Sequence, residues 1–201
     1  MIAIIDYGMG NLASVKKALN KLGISSLITN CKDEIINSKG IILPGVGSFK
    51  QAMQNLHDLK LIPILEDEVL NKKKPFLGIC LGMQLIFEKG SEPEKCIGLG
   101  WLKGEVAPIK NLELPIPHLG WNNIYSKEKT KEDSIKNNFY FIHSYHVKPD
   151  ESLEIYWVDY GIPIVASVRK DNIFATQFHP EKSQQAGLDL IKSYFQNYVK
   201  S

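Results

Sequence analysis

An α/β fold is predicted, with a mostly parallel sheet flanked by helices and a mixed, antiparallel strand portion toward the C-terminus. Three observations carry that prediction. Short, continuously apolar runs alternate with amphipathic stretches over the first two-thirds of the chain. Several of those runs stop at glycine-rich turns. The last third changes to consecutive strand-like segments before a closing helix. Continuous apolar strands between amphipathic helices imply a parallel sheet covered on both faces. The chain has 201 residues, 44% of them hydrophobic, which suits one compact domain with a sizeable core. Residues 1–201 are read as that single domain.

The elements follow in order. Ile2-Ala3-Ile4-Ile5 is a buried strand, and Leu12, Val15, Ala18, Leu19 and Leu22 recur at helical spacing up to the stop at Gly23. Ile24 to Thr29 reads as a second strand. Ile41-Ile42-Leu43 reads as a third, ended by Pro44-Gly45-Val46-Gly47. Phe49, Ala52, Met53 and Leu56 mark a helix, and Pro63 opens another through Ile64, Leu65, Val69 and Leu70. Phe76 to Ile79 is a strand, and Leu81 to Glu88 is expected to be a helix ending at Gly90. Lys127 to Asn138 is highly charged and is expected to be an exposed loop. Phe139 to Ile142, Glu154 to Val158, Ile164 to Val168 and Ile173 to Phe178 read as strands, the last two joined by a hairpin at Arg169-Lys170-Asp171-Asn172. Leu190, Ile191, Tyr194, Phe195 and Tyr198 form the stripe of a final helix.

Composition narrows the class. A formal net charge of +2, with no polybasic arm, carries no nucleic-acid signature. The run Lys72-Lys73-Lys74 reads as the solvated end of a helix. No apolar run approaches the ~18 residues of a membrane span, and the N-terminus reads straight into a strand. Three cysteines without a CxxC pair argue against disulfide scaffolding and zinc ligation. A cytoplasmic protein is expected, with no metal, no cofactor, no nucleic acid and no membrane partner.

Gly78-Ile79-Cys80-Leu81-Gly82 has the form G-x-C-x-G between an apolar strand and a helical run. A nucleophile on so tight a strand-to-helix turn sits in a strained backbone, and residues two positions away must lack side chains to avoid collision. The turn puts the sulfur at the C-terminal edge of the sheet, where backbone dipoles favour thiolate. It also leaves the Leu81 amide to bind a developing oxyanion. Cys31 and Cys96 lack such a frame and are read as structural. Of the five histidines, His179 follows a strand and begins His179-Pro180-Glu181, and strand ends are where reactive groups gather in a parallel sheet. Cys80 as nucleophile, His179 as proton shuttle and Glu181 as orienter make a triad. Pro44-Gly45-Val46-Gly47, at another strand end, has the small residues that let amides converge on an anion.

PGVG, GICLGMQ and QFHPEK together resemble the class I glutamine amidotransferases, whose fold is flavodoxin-like. DYGMGN at residues 6–11, PHLGWN at 117–122 and YFIHSY at 140–145 make the whole chain similar to the glutaminase subunits (HisH) of imidazole glycerol phosphate synthases. That resemblance implies that Cys80 attacks the side-chain amide of glutamine, giving a thioester and ammonia, and that water then releases glutamate. It assigns an oxyanion hole to Val46, Gly47 and Leu81, and substrate contacts to Gln84, Ser144 and Tyr145, with Glu92 assisting. It implies a heterodimer with a HisF-type (β/α)8-barrel cyclase, which takes the ammonia to make imidazole glycerol phosphate and an aminoimidazole carboxamide ribonucleotide. Asn11, His118, Trp121, Asn122, Tyr140 and Lys182 match the family's interface positions. Trp101, Trp157 and His143 are read as structural. Lys127 to Asn138 and Cys96 to Trp101 fit the family pattern poorly. That leaves open a paralogue feeding ammonia to another synthase, for instance one amidating a sugar. A non-catalytic docking subunit and a stand-alone cysteine hydrolase are the other readings.

Overall fold

The computed structural model describes residues 1–92, 94–110, 113–126 and 135–199, the side chains of 135–137 and 197–199 excepted. A nine-stranded sheet runs in the order β2-β1-β3-β4-β13-β12-β11-β8-β9. Its first five members are β2 (Ser26–Thr29), β1 (Ile2–Ile5), β3 (Gly40–Gly45), β4 (Phe76–Cys80) and β13 (Ile173–Thr176), all parallel. The other four, β12 (Pro163–Lys170), β11 (Glu154–Asp159), β8 (His118–Ser126) and β9 (Ile135–His143), continue it antiparallel. The mixed sheet expected from the sequence is the one observed.

Alternation explains why the first strands are apolar throughout. Ala3, Ile5, Ile41 and Leu43 enter one hydrophobic cluster with Phe49 and Leu56 of α3 (Phe49–Asp58). Ile2, Ile4, Ile42, Leu77 and Ile79 enter a second on the opposite face, with Val15 and Leu19 of α1 (Leu12–Lys21) and Ile191 and Phe195 of α6 (Gln184–Val199). Both faces are dry, so no polar phase interrupts the runs. The expected hairpin is present: Lys170 pairs with Ile173, and Asp171 takes a positive φ in the turn.

Four expectations need correction. Leu81 to Glu88 is not one helix. α5 is only Leu81–Leu85, and Phe87–Gly90 is strand β5 in a four-stranded second sheet, order β10-β7-β5-β6. Every residue of α5 is buried, so no polar face marked its end, and pairing with β7 (Leu102–Pro108) claims the chain at Phe87. The other members, β6 (Cys96–Ile97) and β10 (Tyr145–Pro149), were not expected, nor were α2 (Lys32–Asn37), β7 and β8. Of the charged segment, 127–134 lies outside the described residues, while Ile135 to Asn138 belongs to β9 and pairs with β8. The lysine run is not wholly solvated. α4 (Ile62–Glu66) continues as a π-helical turn, Asp67–Asn71, whose buried Glu68 pairs with Lys72 at 2.6 Å and Lys74 at 2.5 Å. Two strands are shorter than read, β2 starting at Ser26 and β13 ending at Thr176.

Tyr194 ties α6 to the sheet. Its hydroxyl lies 2.6 Å from the Asn172 carbonyl and 2.9 Å from the Phe76 carbonyl, and accepts from the Phe76 amide at 3.1 Å. Tyr194→Phe keeps the ring and removes the hydroxyl from the core, while the Phe76 amide still donates to the Asn172 carbonyl at 2.9 Å, so urea unfolding is expected to lose about 1 kcal/mol. Burial also holds three histidines neutral, His118 and His146 at about 4 and His143 at about 3. In the unfolded chain they titrate near 6.5, so below that pH the unfolded state binds protons that the native state refuses. The contribution of these three histidines is therefore complete above about pH 6.5 and falls as pH drops toward about 4. Urea titrations at about pH 7 and about pH 5 are expected to differ by roughly 1–2 kcal/mol per histidine.

Candidate active site

β4 hands its last residue to α5 through a backbone that L-amino acids rarely adopt: Cys80 has φ +55° and ψ −106°. The flanking glycines are required by contact. A Cβ on Gly78 would lie 2.9 Å from the Gly82 carbonyl oxygen, and one on Gly82 would lie 1.8 Å from the Leu43 carbonyl oxygen. The elbow thus packs directly on β3, the strand that ends at Gly45, just before Val46-Gly47. The side-chain restriction inferred from G-x-C-x-G has this backbone approach as its cause.

β13, parallel to β4 on its other side, delivers the histidine. After it, Pro180–Lys182 form one 3-10 turn that folds Glu181 back toward the ring. Nδ1 of His179 lies 2.8 Å from Oε1 of Glu181, and both side chains are 2% exposed. Burial works against a charged imidazole. The neighbouring Cys80 and the Glu181 carboxylate outweigh it and push His179 up to about 10. The other ring nitrogen, Nε2, is buried and makes no hydrogen bond among the described residues. Cys80 and the His179–Glu181 pair, remote from each other in the sequence, are brought into the same neighbourhood.

A pocket of about 300 Å³ opens over the sulfur. Val46, Gly47, Leu81, Gln84, Glu92, Ser144 and Tyr145 all line it, as does Cys80; every substrate and oxyanion residue named from the sequence is therefore at this wall. Gly47 has φ +105°, which a side chain would resist. The Glu92 carboxyl stands above its ordinary range through burial, partly offset by a hydrogen bond from the Phe49 amide.

Gln177 is a contact that the triad pattern does not single out. It is fully buried, and its amide donates to Cys80 Sγ at 3.6 Å. Gln84 donates to Gln177 Oε1 at 3.1 Å and to the Tyr145 carbonyl at 3.2 Å. The only sign of it in the sequence was its place in QFHPEK, two residues before His179. Pro117 and Ile142 also line the pocket, and the Ile116–Pro117 bond is cis. Among the described residues, no group of three His, Cys, Asp or Glu side chains is arranged to hold a metal, and no helix is long and apolar enough to cross a membrane.

Beside the pocket mouth the β8–β9 ladder presents an apolar outer face. Leu119 pairs with Ile142 and Trp121 with Tyr140; Leu119 is 58% exposed and Trp121 44%. The Trp121 and Tyr140 rings meet edge-on at 5.8 Å, and Lys182 Nζ lies 5.8 Å from the Tyr140 ring centre. Asn11 is exposed and caps α1, its side chain accepting from the Ser14 amide at 3.2 Å. His118 corrects the expectation of a surface role. It is fully buried, stacked between Phe141 and Tyr160, and only its bond with the half-buried Asn122 reaches toward the outer face. Trp101 is buried in the core.

Comparison with known proteins agrees with this architecture. The family model described as "Glutamine amidotransferase class-I" matches residues 3–197. The chain is 48% identical over 201 residues to a Campylobacter jejuni protein named imidazole glycerol phosphate synthase subunit HisH 1, covering 96% of this chain and 98% of the relative. It is 47% identical over 199 residues to the HisH subunit of Methanocaldococcus jannaschii, again covering 96% and 98%. Bacillus cereus HisH is 44% identical over 207 residues, covering 100% and 96%. In fold it resembles a crystal structure of a glutamine amidotransferase (TM-score 0.76, 18% identity, 98% of each chain) and that of PurLQS from Thermotoga maritima (0.75, 17%, 99% and 98%). The chain belongs to the class I glutamine amidotransferase family, among its HisH subunits of imidazole glycerol phosphate synthase.

Proposed function

We propose that this chain is a one-domain glutaminase subunit that supplies ammonia to a cyclase partner in histidine biosynthesis, and that Cys80, His179 and Glu181 are its triad. One observation carries the reading: a strained cysteine on the wall of a pocket large enough for a single amino acid has a buried, carboxylate-paired imidazole as its electrostatic neighbour. The Cys80 sulfur attacks the side-chain amide carbon of glutamine, and its oxygen takes the negative charge. Amides of Leu81 and of the Val46-Gly47 segment stabilise that oxygen. His179 passes its proton to the departing nitrogen, the C–N bond breaks, and ammonia leaves a glutamyl thioester. Water then attacks the same carbon, His179 accepts its proton, and glutamate departs as the sulfur is released. Glu181 keeps the ring oriented and its charge balanced. Gln84, Ser144 and Tyr145 hold the amino-acid end of the substrate, and Glu92, a carboxyl at the pocket rim, assists there.

The partner docks on the outer face of Trp121 and Tyr140, with Asn122 half-buried behind it and Asn11 and Lys182 at its margin. An exposed Trp beside Tyr supplies the aromatic anchors on which protein contacts depend. Docking covers the pocket mouth and excludes water, which keeps ammonia neutral and nucleophilic on its way to the cyclase. There it serves the ring closure that yields imidazole glycerol phosphate and aminoimidazole carboxamide ribonucleotide.

Cys80→Ala in the complex is expected to abolish synthesis from glutamine, by at least about 10³-fold, while synthesis from ammonium salts continues. Persistence of glutamine-dependent product would sink the assignment. Trp121→Ala is expected to weaken the complex by about 2 kcal/mol or more, roughly 30-fold in Kd by titration calorimetry. An unchanged Kd would move the docking face elsewhere. Conversion of the formimino ribonucleotide by the purified pair, with glutamine as nitrogen source, distinguishes the histidine-pathway cyclase from another synthase.

A further inference from the structure

Behind the apolar face of β8 and β9, three polar side chains are joined in series to the pocket wall. Asn122 Nδ2 lies 2.9 Å from His118 Nε2. His118 Nδ1 lies 3.0 Å from His143 Nε2. His143 Nδ1 lies 2.9 Å from the Tyr145 carbonyl oxygen. The ends determine where every proton sits. A carbonyl only accepts, so His143 carries its hydrogen on Nδ1 and leaves Nε2 bare. That bare nitrogen requires a donor, so His118 also carries its hydrogen on Nδ1. Its own bare Nε2 then accepts from the Asn122 amide, which can only give. The series has one polarity and no second arrangement.

Tyr145 is where this series meets the catalytic side. The same carbonyl accepts from Gln84, Gln84 donates onward to Gln177, and Gln177 donates to the Cys80 sulfur. Packing holds the two imidazoles still: His118 is sandwiched between Phe141 and Tyr160, with ring centres 4.7 and 4.1 Å away, and His143 is buried. Burial also holds both rings well below the ordinary histidine range, on His143 against the hydrogen bond to the Tyr145 carbonyl and in the same direction as the neighbouring imidazoles, so each keeps a single proton.

We propose that His118 and His143 are positioning residues for glutamine, transmitting the state of Asn122 beside the docking face to the Tyr145 carbonyl in the pocket wall. The idea rests on the glutaminase reading above and adds to it. A partner that turns the Asn122 amide so that its oxygen faces His118 opposes that polarity and favours the reverse one, in which both rings carry the hydrogen on Nε2 and the Tyr145 carbonyl loses its donor, loosening the Ser144-Tyr145 wall. A partner that leaves the amide in place keeps the wall set for substrate.

Imidazole proton positions are directly readable by long-range ¹⁵N–¹H correlation spectra of the full-length chain. Both rings are expected to be neutral with the hydrogen on Nδ1; a proton on Nε2 of either ring, or averaging between the two, overturns the proposal without any variant. Asn122→Asp then replaces the donor by an acceptor of equal size. It is expected to move the protons of both His118 and His143 to Nε2, taking the donor from the Tyr145 carbonyl, and to raise the glutamine KM of the complex about tenfold, the equivalent of one hydrogen bond of ~1.4 kcal/mol, with kcat within about twofold. Asn122→Ser, which retains a donor, is expected to keep the parental tautomers. Unmoved tautomers and KM in the aspartate variant refute the relay. The glutaminase reading fails by a different sign, glutamine turnover that survives Cys80→Ala, so the two failures are told apart.

Discussion

The structure depends on one backbone conformation, that of Cys80. A positive φ at a residue with a side chain is unfavourable and persists only where its surroundings over-determine it. Here the surroundings are two flanking glycines pressed against backbone, Gly82 on the Leu43 carbonyl and Gly78 on Gly82 itself. Because Leu43 precedes Pro44-Gly45-Val46-Gly47, the contact that bends the chain at the nucleophile also sets the distance to the neighbouring strand end. Parallel pairing with β13 then determines where His179 can stand. Three strand ends meet at one rim because a parallel sheet puts all its C-termini on one side.

The outer hairpin is wired to that rim twice. Along the backbone, the His179 amide donates to the Tyr140 carbonyl at 2.9 Å, the Tyr140 amide donates to Ser183 Oγ at 3.0 Å, and Ser183 Oγ donates to the His179 carbonyl at 2.6 Å. Through side chains, the Asn122–His118–His143 series ends at Tyr145. Strand alternation makes both possible. In β9, Tyr140 and Ile142 face outward while Phe139, Phe141 and His143 face inward, so one strand serves surface and interior together.

Much of this was legible in residue types. The buried parallel strands announced themselves as unbroken apolar runs because both faces are covered. The elbow was legible because only glycine tolerates the contacts that a tight strand-to-helix turn makes. His-Pro-Glu was legible as a unit because the histidine and carboxylate lie two residues apart. The end of α5 was not legible. A short helix buried on every side has no amphipathic phase to mark its boundary, and β5 pairs with residues fifteen or so positions further on, a relation that local pattern does not carry. β8 was missed for a similar reason: His118, Gly120 and Asn122 break the apolar alternation, since that face is filled by polar groups bonded to one another rather than by aliphatic side chains.

The chain's own residue order determined the strand-and-helix alternation, the need for a strained cysteine and the chemistry its neighbours could offer, because each rests on local sterics or on a periodicity of a few residues. Only the assembled fold decided that His118 is interior and Trp121 exterior, that Gln177 faces the sulfur, and that His179 is buried against Glu181 with its pKa pushed up by Cys80 and the carboxylate. Those outcomes depend on which distant strands pair and in what register, and on the desolvation and charge that such pairing brings to a side chain.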